Sequence, residues 1–231
     1  MALNLDLAEN LDRVRERIER ACDRAGRDPS SVELVAVSKA HSEQLIRAAY
    51  DAGLRVFGEN YAQELAEKAD ALRDLKGLRW RFIGHLQRNK IKLVERARAT
   101  VDTVDSIRLA EALSARAEAG GYSTEALIQV NVGEEAQKSG CTPKELPSLV
   151  EGVQQLPGLA LRGLMTVAPH FDDPKDARPC FAALRRLAEH HGLETLSMGM
   201  THDLEPAVAE GATMVRIGTA LFGEREPDRR G

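Results

Sequence analysis

The sequence predicts an α/β protein built as a single (β/α)₈ TIM barrel with one extra helix at its N-terminal end. Three observations lead there. Eight strand-like apolar runs alternate with helix-length amphipathic stretches, and that alternation implies βαβ units around a parallel sheet. The runs are near-continuous in Val, Leu and Ile, as strands covered on both faces are. Finally, "SKAHSE" follows the first run and is no glycine fingerprint, which disfavours an open doubly wound sheet.

Taken in order, the chain opens with a helix over 1–28. Leu7, Leu11, Val14, Ile18 and Cys22 recur at three- and four-residue steps, and Gly26 followed by Pro29 stops it. Its mixed charges (Arg13, Arg15, Glu16, Arg17, Glu19, Arg20) read as a solvated face because both signs are interspersed. The strand-like runs are "VELVAVSK", "LRVFGEN", "LRWRFIGHL", "TVDTVD", "EALIQVNVG", "LALRGLMTVAP", "LETLSMGM" and "TMVRIGTALFG". Helical stretches between them include "SEQLIRAAYDAG", "AQELAEKADALRDL", "SIRLAEALSARAEAGG" and "PKELPSLVEGVQQL". Ser42 and Ser106 are candidate N-caps, Gly53 and Gly120 candidate stops, and Pro143 a first-turn residue. No linker or composition shift divides the chain, so one domain is expected over 1–231, with a flexible tail over 226–231.

Composition narrows the function classes. In 231 residues, 43% are hydrophobic, 29% charged, and the formal net charge is −4. That balance gives no pull toward nucleic acid or anionic lipid. No apolar stretch approaches the roughly 18 residues of a membrane helix. The first twenty residues lack the basic and apolar regions of a secretory signal. Cys22, Cys141 and Cys180 are far apart, with no CxxC pair, and a reduced cytoplasmic setting is the plain expectation.

In such a barrel the chemistry collects where strands end and loops begin. Lys39 closes the first run, Asn60 the second, and polar groups close most of the others. Loops after the seventh and eighth strands are the usual place for a phosphate. Here they offer Ser197, Gly199, Gly218 and Thr219. Either segment alone reads more readily as small residues at a crowded turn; together they favour an anion cradle. Arg216 lies in the apolar run "MVRIG" and shares a strand face with Gly218. A buried arginine needs a partner, and a structural carboxylate is one possibility. If it faces the lumen instead, Lys39 reaches the same cavity from the first strand, the neighbour that closes the barrel. Lysine, arginine and a phosphate cradle suit a phosphorylated aldehyde held as a Schiff base, because burial and a nearby cation favour the neutral amine that attacks.

The blocks "AVSKAH", "VFGENYAQE", "FIGHLQRNK", "IQVNVGEEAQKSG", "LRGLMTVAP", "LSMGMTHDLEPAV" and "MVRIGTALFGER" resemble, in order and spacing, the pyridoxal phosphate homeostasis protein family. The resemblance runs from about residue 30 to 225 and falls on seven of the eight predicted strands. It implies an alanine-racemase-like barrel (fold type III) with pyridoxal 5′-phosphate (PLP) held as a Schiff base on Lys39. By the same resemblance Ser197, Gly218 and Thr219 would hold the phosphate, Arg216 would sit near the pyridine nitrogen, and Asn60 would border the cofactor. The implied role is carrier or regulator of vitamin B6 pools, with no established catalytic turnover, no catalytic residue and no metal. Expected partners are PLP itself and PLP-dependent apo-enzymes, and the protein is expected to be a monomer.

Two departures stand out. Many relatives have a Thr and later a Pro after the lysine, where this chain has Ala40 and His41; and His202 stands where relatives often have a shorter polar residue. Racemases of this scaffold also use a second acid–base group, usually a tyrosine from an additional domain, whereas this chain has only Tyr50, Tyr61 and Tyr122. The alternative from another class is a metal-dependent barrel hydrolase using His85, His170 and His202, with Asp102, Asp105 and Asp203 as oxygen ligands. No HxH pair supports it, and a lone histidine is more often structural. Trp80, set between arginines in "LRWRFIG", is expected to pack against the barrel rather than stack on nucleic acid, given 4% aromatics.

Overall fold

In the computed structural model, residues 2–135 and 137–223 are described. Eight parallel strands close into a barrel in chain order: β1 (Glu33–Val37), β2 (Val56–Glu59), β3 (Arg79–Phe82), β4 (Thr100–Val104), β5 (Thr124–Gln129), β6 (Leu159–Met165), β7 (Thr195–Ser197) and β8 (Met214–Ile217). β8 pairs with β1 to complete the ring, with Val35 opposite Arg216. The expected tail over 226–231 lies outside the described residues.

Helices cover the ring: α1 (Ala2–Ala25), α2 (Glu43–Asp51), α3 (Ala62–Ala71), α4 (Ile91–Arg96), α5 (Ile107–Ala119), α6 (Leu146–Gln154), α7 (Arg178–His190), α8 (Leu204–Ala209) and α9 (Thr219–Phe222). None of the described helices is long and apolar enough to cross a membrane. The α1 stripe behaves as its periodicity predicts, with Leu7, Leu11, Val14, Ile18 and Cys22 all buried. Its charged face is not wholly solvated. Arg17 reaches across to grip Glu205 through two hydrogen bonds, at 2.8 and 2.9 Å, and donates to the Thr201 carbonyl at 2.9 Å. Arg27 donates to the carbonyls of Val208 and Ala212, so α1 is fastened to the α8 segment by backbone acceptors as well as by apolar packing.

Capping follows local chemistry. Ser42 accepts from the Leu45 amide and starts α2, and Gly53, at φ +98°, follows the helix end. Ser106 occupies the cap position of α5 without a side-chain bond to it. α6 begins at Leu146 rather than in the turn after Pro143; Thr142 and Glu145 bond reciprocally just ahead of it, and Pro147 takes the first turn. The run "TMVRIGTALFG" divides at Gly218, β8 before it and the single turn of α9 after it.

Two environments result. Between ring and helices lies the main apolar core, including Phe57, Phe82, Phe181, Ile46, Leu65 and Leu184. Trp80 belongs there, 7% exposed, its ring 5.9 Å from Phe57. Each such buried side chain contributes roughly 1.5–3 kcal/mol. Inside the ring the pleat presents the alternate set. Val35, Val56 and Met214 form a separate apolar cluster, and a Cβ on Gly58 would touch Val35. On that inner face Arg81 holds Asp102 in a two-pronged pair, 2.9 and 2.7 Å, both nearly inaccessible to water. Burial pushes the Asp102 carboxyl above its ordinary range even though Arg81 opposes it.

Removing one partner of such a pair leaves the other buried and unpaired. Arg81→Met is therefore expected to destabilise the fold by about 3–5 kcal/mol in urea unfolding, while Arg81→Met/Asp102→Leu recovers most of that loss.

Candidate functional site

The site is built from the C-terminal ends of β1, β7 and β8. Lys39 sits two residues beyond β1, so it falls on the same inward face as Val35 and Val37. Arg216 is the third residue of β8 and points inward beside it, 4% exposed. Together with Val37, His41, Met200, Thr201, His202, Gly218 and Thr219 these two cations line a cavity of ≈ 230 Å³ at the mouth of the barrel. Four of the six residues singled out from sequence thus meet there: Lys39, Arg216, Gly218 and Thr219.

The other two stand behind it. Ser197, at the end of β7 and fully buried, accepts a 2.8 Å hydrogen bond from Arg216 Nη1. Arg216 Nη2 donates to the Thr166 carbonyl, also at 2.8 Å. The arginine's direct partners are therefore a hydroxyl and a carbonyl, while Asp102 and Asp203 act on it electrostatically. Burial draws its guanidinium down to about 10, against the pull of those two carboxylates, which still leaves it cationic at neutral pH. Asn60 is not among the lining residues. Its side-chain Oδ1 is buried with no hydrogen-bond partner, a polar atom left for something else to satisfy.

Backbone shape completes the cradle. Gly218 leaves a gap that a Cβ would fill, 3.3 Å from the Val37 carbonyl oxygen. Gly199 adopts φ +91°, and a Cβ there would come within 2.5 Å of the Ala207 Cβ. The turn it makes is pinned by a 2.6 Å bond from the Met200 amide to Asp203. Asp203 is thus a loop anchor.

The histidines separate. His170 and His202 stack with ring centroids 5.0 Å apart, and His202 Nε2 lies 2.9 Å from the Phe171 carbonyl. His85 instead faces Asp105 at 3.6 Å, beside a wider groove of ≈ 690 Å³ that also takes in Ile107, Cys141 and Leu149. Among the described residues no group of three His, Cys, Asp or Glu side chains is arranged to hold a metal. The cysteines are unpaired, and burial raises all three thiols, Cys141 to about 12, which is the opposite of a reactive thiolate.

Sequence reasoning overlooked one cluster. Behind Lys39, on the helix side of the ring, Ser38, Glu59, Glu64 and Lys68 form a closely bonded group. The signal was present: Glu64 and Lys68 are four apart on α3, and Glu59 is an acid ending an apolar run.

A closed barrel of eight parallel strands with a lysine and an arginine lining a cavity at its mouth defines a (β/α)₈ protein with a ligand site where the strands end. The family model described as alanine racemase, N-terminal domain, matches residues 10–226. The pyridoxal phosphate homeostasis protein of Pseudomonas aeruginosa is 48% identical over 222 residues, covering 95% of this chain and 96% of that protein. That of Aquifex aeolicus is 43% identical, with 96% and 100% covered. Among solved structures, PipY of Synechococcus elongatus with PLP bound is 38% identical and superposes with a TM-score of 0.81 over 94% of this chain and 100% of that one. An alanine racemase of Clostridium difficile shares the fold, with a TM-score of 0.71 at 14% identity, and is matched over 57% of its length. The chain belongs to the pyridoxal phosphate homeostasis protein family.

Gly199→Ala is expected to lower stability by about 1–3 kcal/mol, because strain at positive φ adds to the contact with Ala207. Gly192→Ala, at φ +64° with open space around it, is the control in the same thermal-melt series; it should carry only the strain, about 1 kcal/mol.

Proposed function

We propose that this protein binds pyridoxal 5′-phosphate covalently through Lys39 and serves intracellular vitamin B6 homeostasis as a carrier or regulator rather than as a catalyst. The observation that carries this is the cavity that Lys39 and Arg216 share at the barrel mouth, beside a small-residue gap. The donor set fits the group. An anionic phosphate ester suits the Thr219 hydroxyl and the space over Gly218, and the unsatisfied Asn60 Oδ1 offers an acceptor at the border. Bound there, PLP supplies an aldehyde for reversible attachment and a ring able to withdraw electrons from a substrate carbon.

The chain's own residues then have distinct tasks. Lys39 would hold the cofactor through its aldehyde. Arg216, by its charge, would favour the neutral form of a neighbouring amine. Set beside a pyridine nitrogen, it would also disfavour protonation there and so weaken the ring as an electron sink. Ser197 and the Thr166 carbonyl fix the arginine's orientation. His41, its ring 5.0 Å from Phe222, closes one side of the cavity.

The non-catalytic reading is supported by the tyrosines. Tyr50 donates to the Lys76 carbonyl, Tyr61 is exposed at the start of α3, and Tyr122 lies against Arg98. None of them lines the cavity. The relatives' shared name supports the homeostasis role. The same reading takes residues 1–231 as one PLP-binding domain, acting as a cytoplasmic monomer and passing cofactor to PLP-dependent apo-enzymes.

The test is the visible absorbance of protein loaded with PLP, before and after borohydride, for wild type and Lys39→Ala. A yellow band that reduction converts into a modified Lys39 peptide is the expected result; the variant should bind PLP without such attachment. A wild type that takes up no PLP, or is modified at another lysine, overturns the assignment.

A further inference from the structure

The turn that carries Lys39 is held from behind. Lys68, 4% exposed on α3, donates from one ammonium to three oxygens at 2.7 Å: the Ser38 carbonyl, Glu59 Oε1 and Glu64 Oε1. The Ser38 hydroxyl donates to the same Glu59 oxygen at 2.6 Å. On the other side of Lys39, the Ala40 amide donates to Glu64 Oε1 at 2.7 Å. Both peptide neighbours of the lysine are thus tied to one buried charge cluster, while Lys39 itself points the opposite way, into the barrel mouth.

Two features mark this as more than a chance ion pair. Ala40 adopts φ +60°, a left-handed conformation that a residue with a Cβ holds only when its surroundings impose it. Two bonds hold this turn: the Ala40 amide donates to the Glu64 carboxylate, and the His41 amide donates to the Ser38 carbonyl at 3.1 Å. The cluster is also expensive to bury: Glu59 is fully enclosed, and its second oxygen, Oε2, has no partner. Glu59 and Lys68 are withdrawn from water while Glu64 stays partly exposed, and a buried ion pair of that kind is commonly matched or bettered by apolar residues of the same volume. Stability alone therefore does not account for placing them directly behind the lysine.

We propose that Glu64 and Lys68, with Glu59 beneath them, are positioning residues that lock the 38–40 turn so that Lys39 is presented to the cavity in a geometry ready to attack. The proposal rests on Lys39 as the attachment residue. Glu64 touches neither cavity nor cofactor site; it acts only through the backbone beside the lysine. A hydrogen bond to a charged acceptor, when lost, costs enough to change a populated geometry by about tenfold.

The experiment measures three things on full-length wild type, Glu64→Ala, Glu64→Gln and the paired apolar swap Glu59→Leu/Lys68→Met. The first is the rate at which added PLP becomes borohydride-fixed on the Lys39 peptide. The second is equilibrium binding of pyridoxine 5′-phosphate, which has the ring and phosphate but no aldehyde. The third is amide hydrogen exchange at Ala40 and His41.

In Glu64→Ala the attachment rate is expected to fall about tenfold and exchange at Ala40 to rise about tenfold, with pyridoxine phosphate affinity unchanged. Glu64→Gln keeps an oxygen for the Ala40 amide and should recover most of the rate. The paired swap, which preserves volume while removing the two buried charges and the tie from Lys68 to the Ser38 carbonyl, leaves Glu64 on the Ala40 amide and should slow attachment in the same direction but less than Glu64→Ala. Attachment at the wild-type rate in Glu64→Ala and in the swap overturns the proposal while leaving Lys39 in place. So does a parallel loss of pyridoxine phosphate binding, which would mean a collapsed pocket rather than a misdirected lysine. Absence of attachment in the wild type overturns the Lys39 reading, and this one with it.

Discussion

The seam where β8 meets β1 is the constraint on which the rest depends. Pairing Val35 with Arg216 joins positions at opposite ends of the chain, and it is this register that brings an arginine and a lysine to one cavity. Neither strand could serve alone. β1 is apolar until its end, and β8 carries a charge that an open sheet edge would leave facing water or a helix. Closing the ring gives the guanidinium an interior, and that interior must then provide it with acceptors. Ser197 and Thr166 do so, from the two strands that precede β8 in the ring.

The interior is arranged in tiers by what each level can satisfy. An apolar tier of Val35, Val56 and Met214 is joined by Arg81 and Asp102, which satisfy each other. Arg216 has no carboxylate in direct contact, so its charge is offset only at a distance by Asp102 and Asp203. Arg216 lines the mouth together with Lys39 and Gly218, so an anion entering the cavity meets a cation already fixed in place by its hydrogen bonds to Ser197 and Thr166.

Much of this could be read from the sequence because barrel strands announce themselves twice, as continuous apolar runs and as polar residues at their ends. Lys39, Gly218 and Thr219 are legible from that rule, and Arg216 from the cost of a charge set inside an apolar run. The edges of elements were less so. "TMVRIGTALFG" looks like one strand, since apolar content does not report that Gly218 turns the chain into α9. Pro143 is a fair first-turn residue, yet Thr142 and Glu145 bond to each other first and delay α6 to Leu146. The cluster behind Lys39 was hidden for a different reason. Its members, Ser38, Glu59, Glu64 and Lys68, come from two strands and a helix, and only the register of β1 against β2 reveals that they converge. Arg17 escaped notice likewise: nothing in an interspersed charge run says which arginine will find Glu205.

The two sides of β1 carry different chemistry. Residues 37 and 39 face the mouth, whereas 36 and 38 face the helices, so the attachment side and the supporting side of one strand can be built independently. This chain invests heavily in the supporting side, with a buried ammonium, two carboxylates and a left-handed Ala40. At the mouth, His41 and His202 line the same cavity as Lys39. His202 is directed at the Phe171 carbonyl, and His41 lies on Phe222. Racemisation needs two proton-transfer groups on opposite faces of a reacting carbon, and the tyrosines that could provide the second are held elsewhere on the surface. Lys39 thus shares the mouth with Arg216, and none of the three tyrosines lines that cavity.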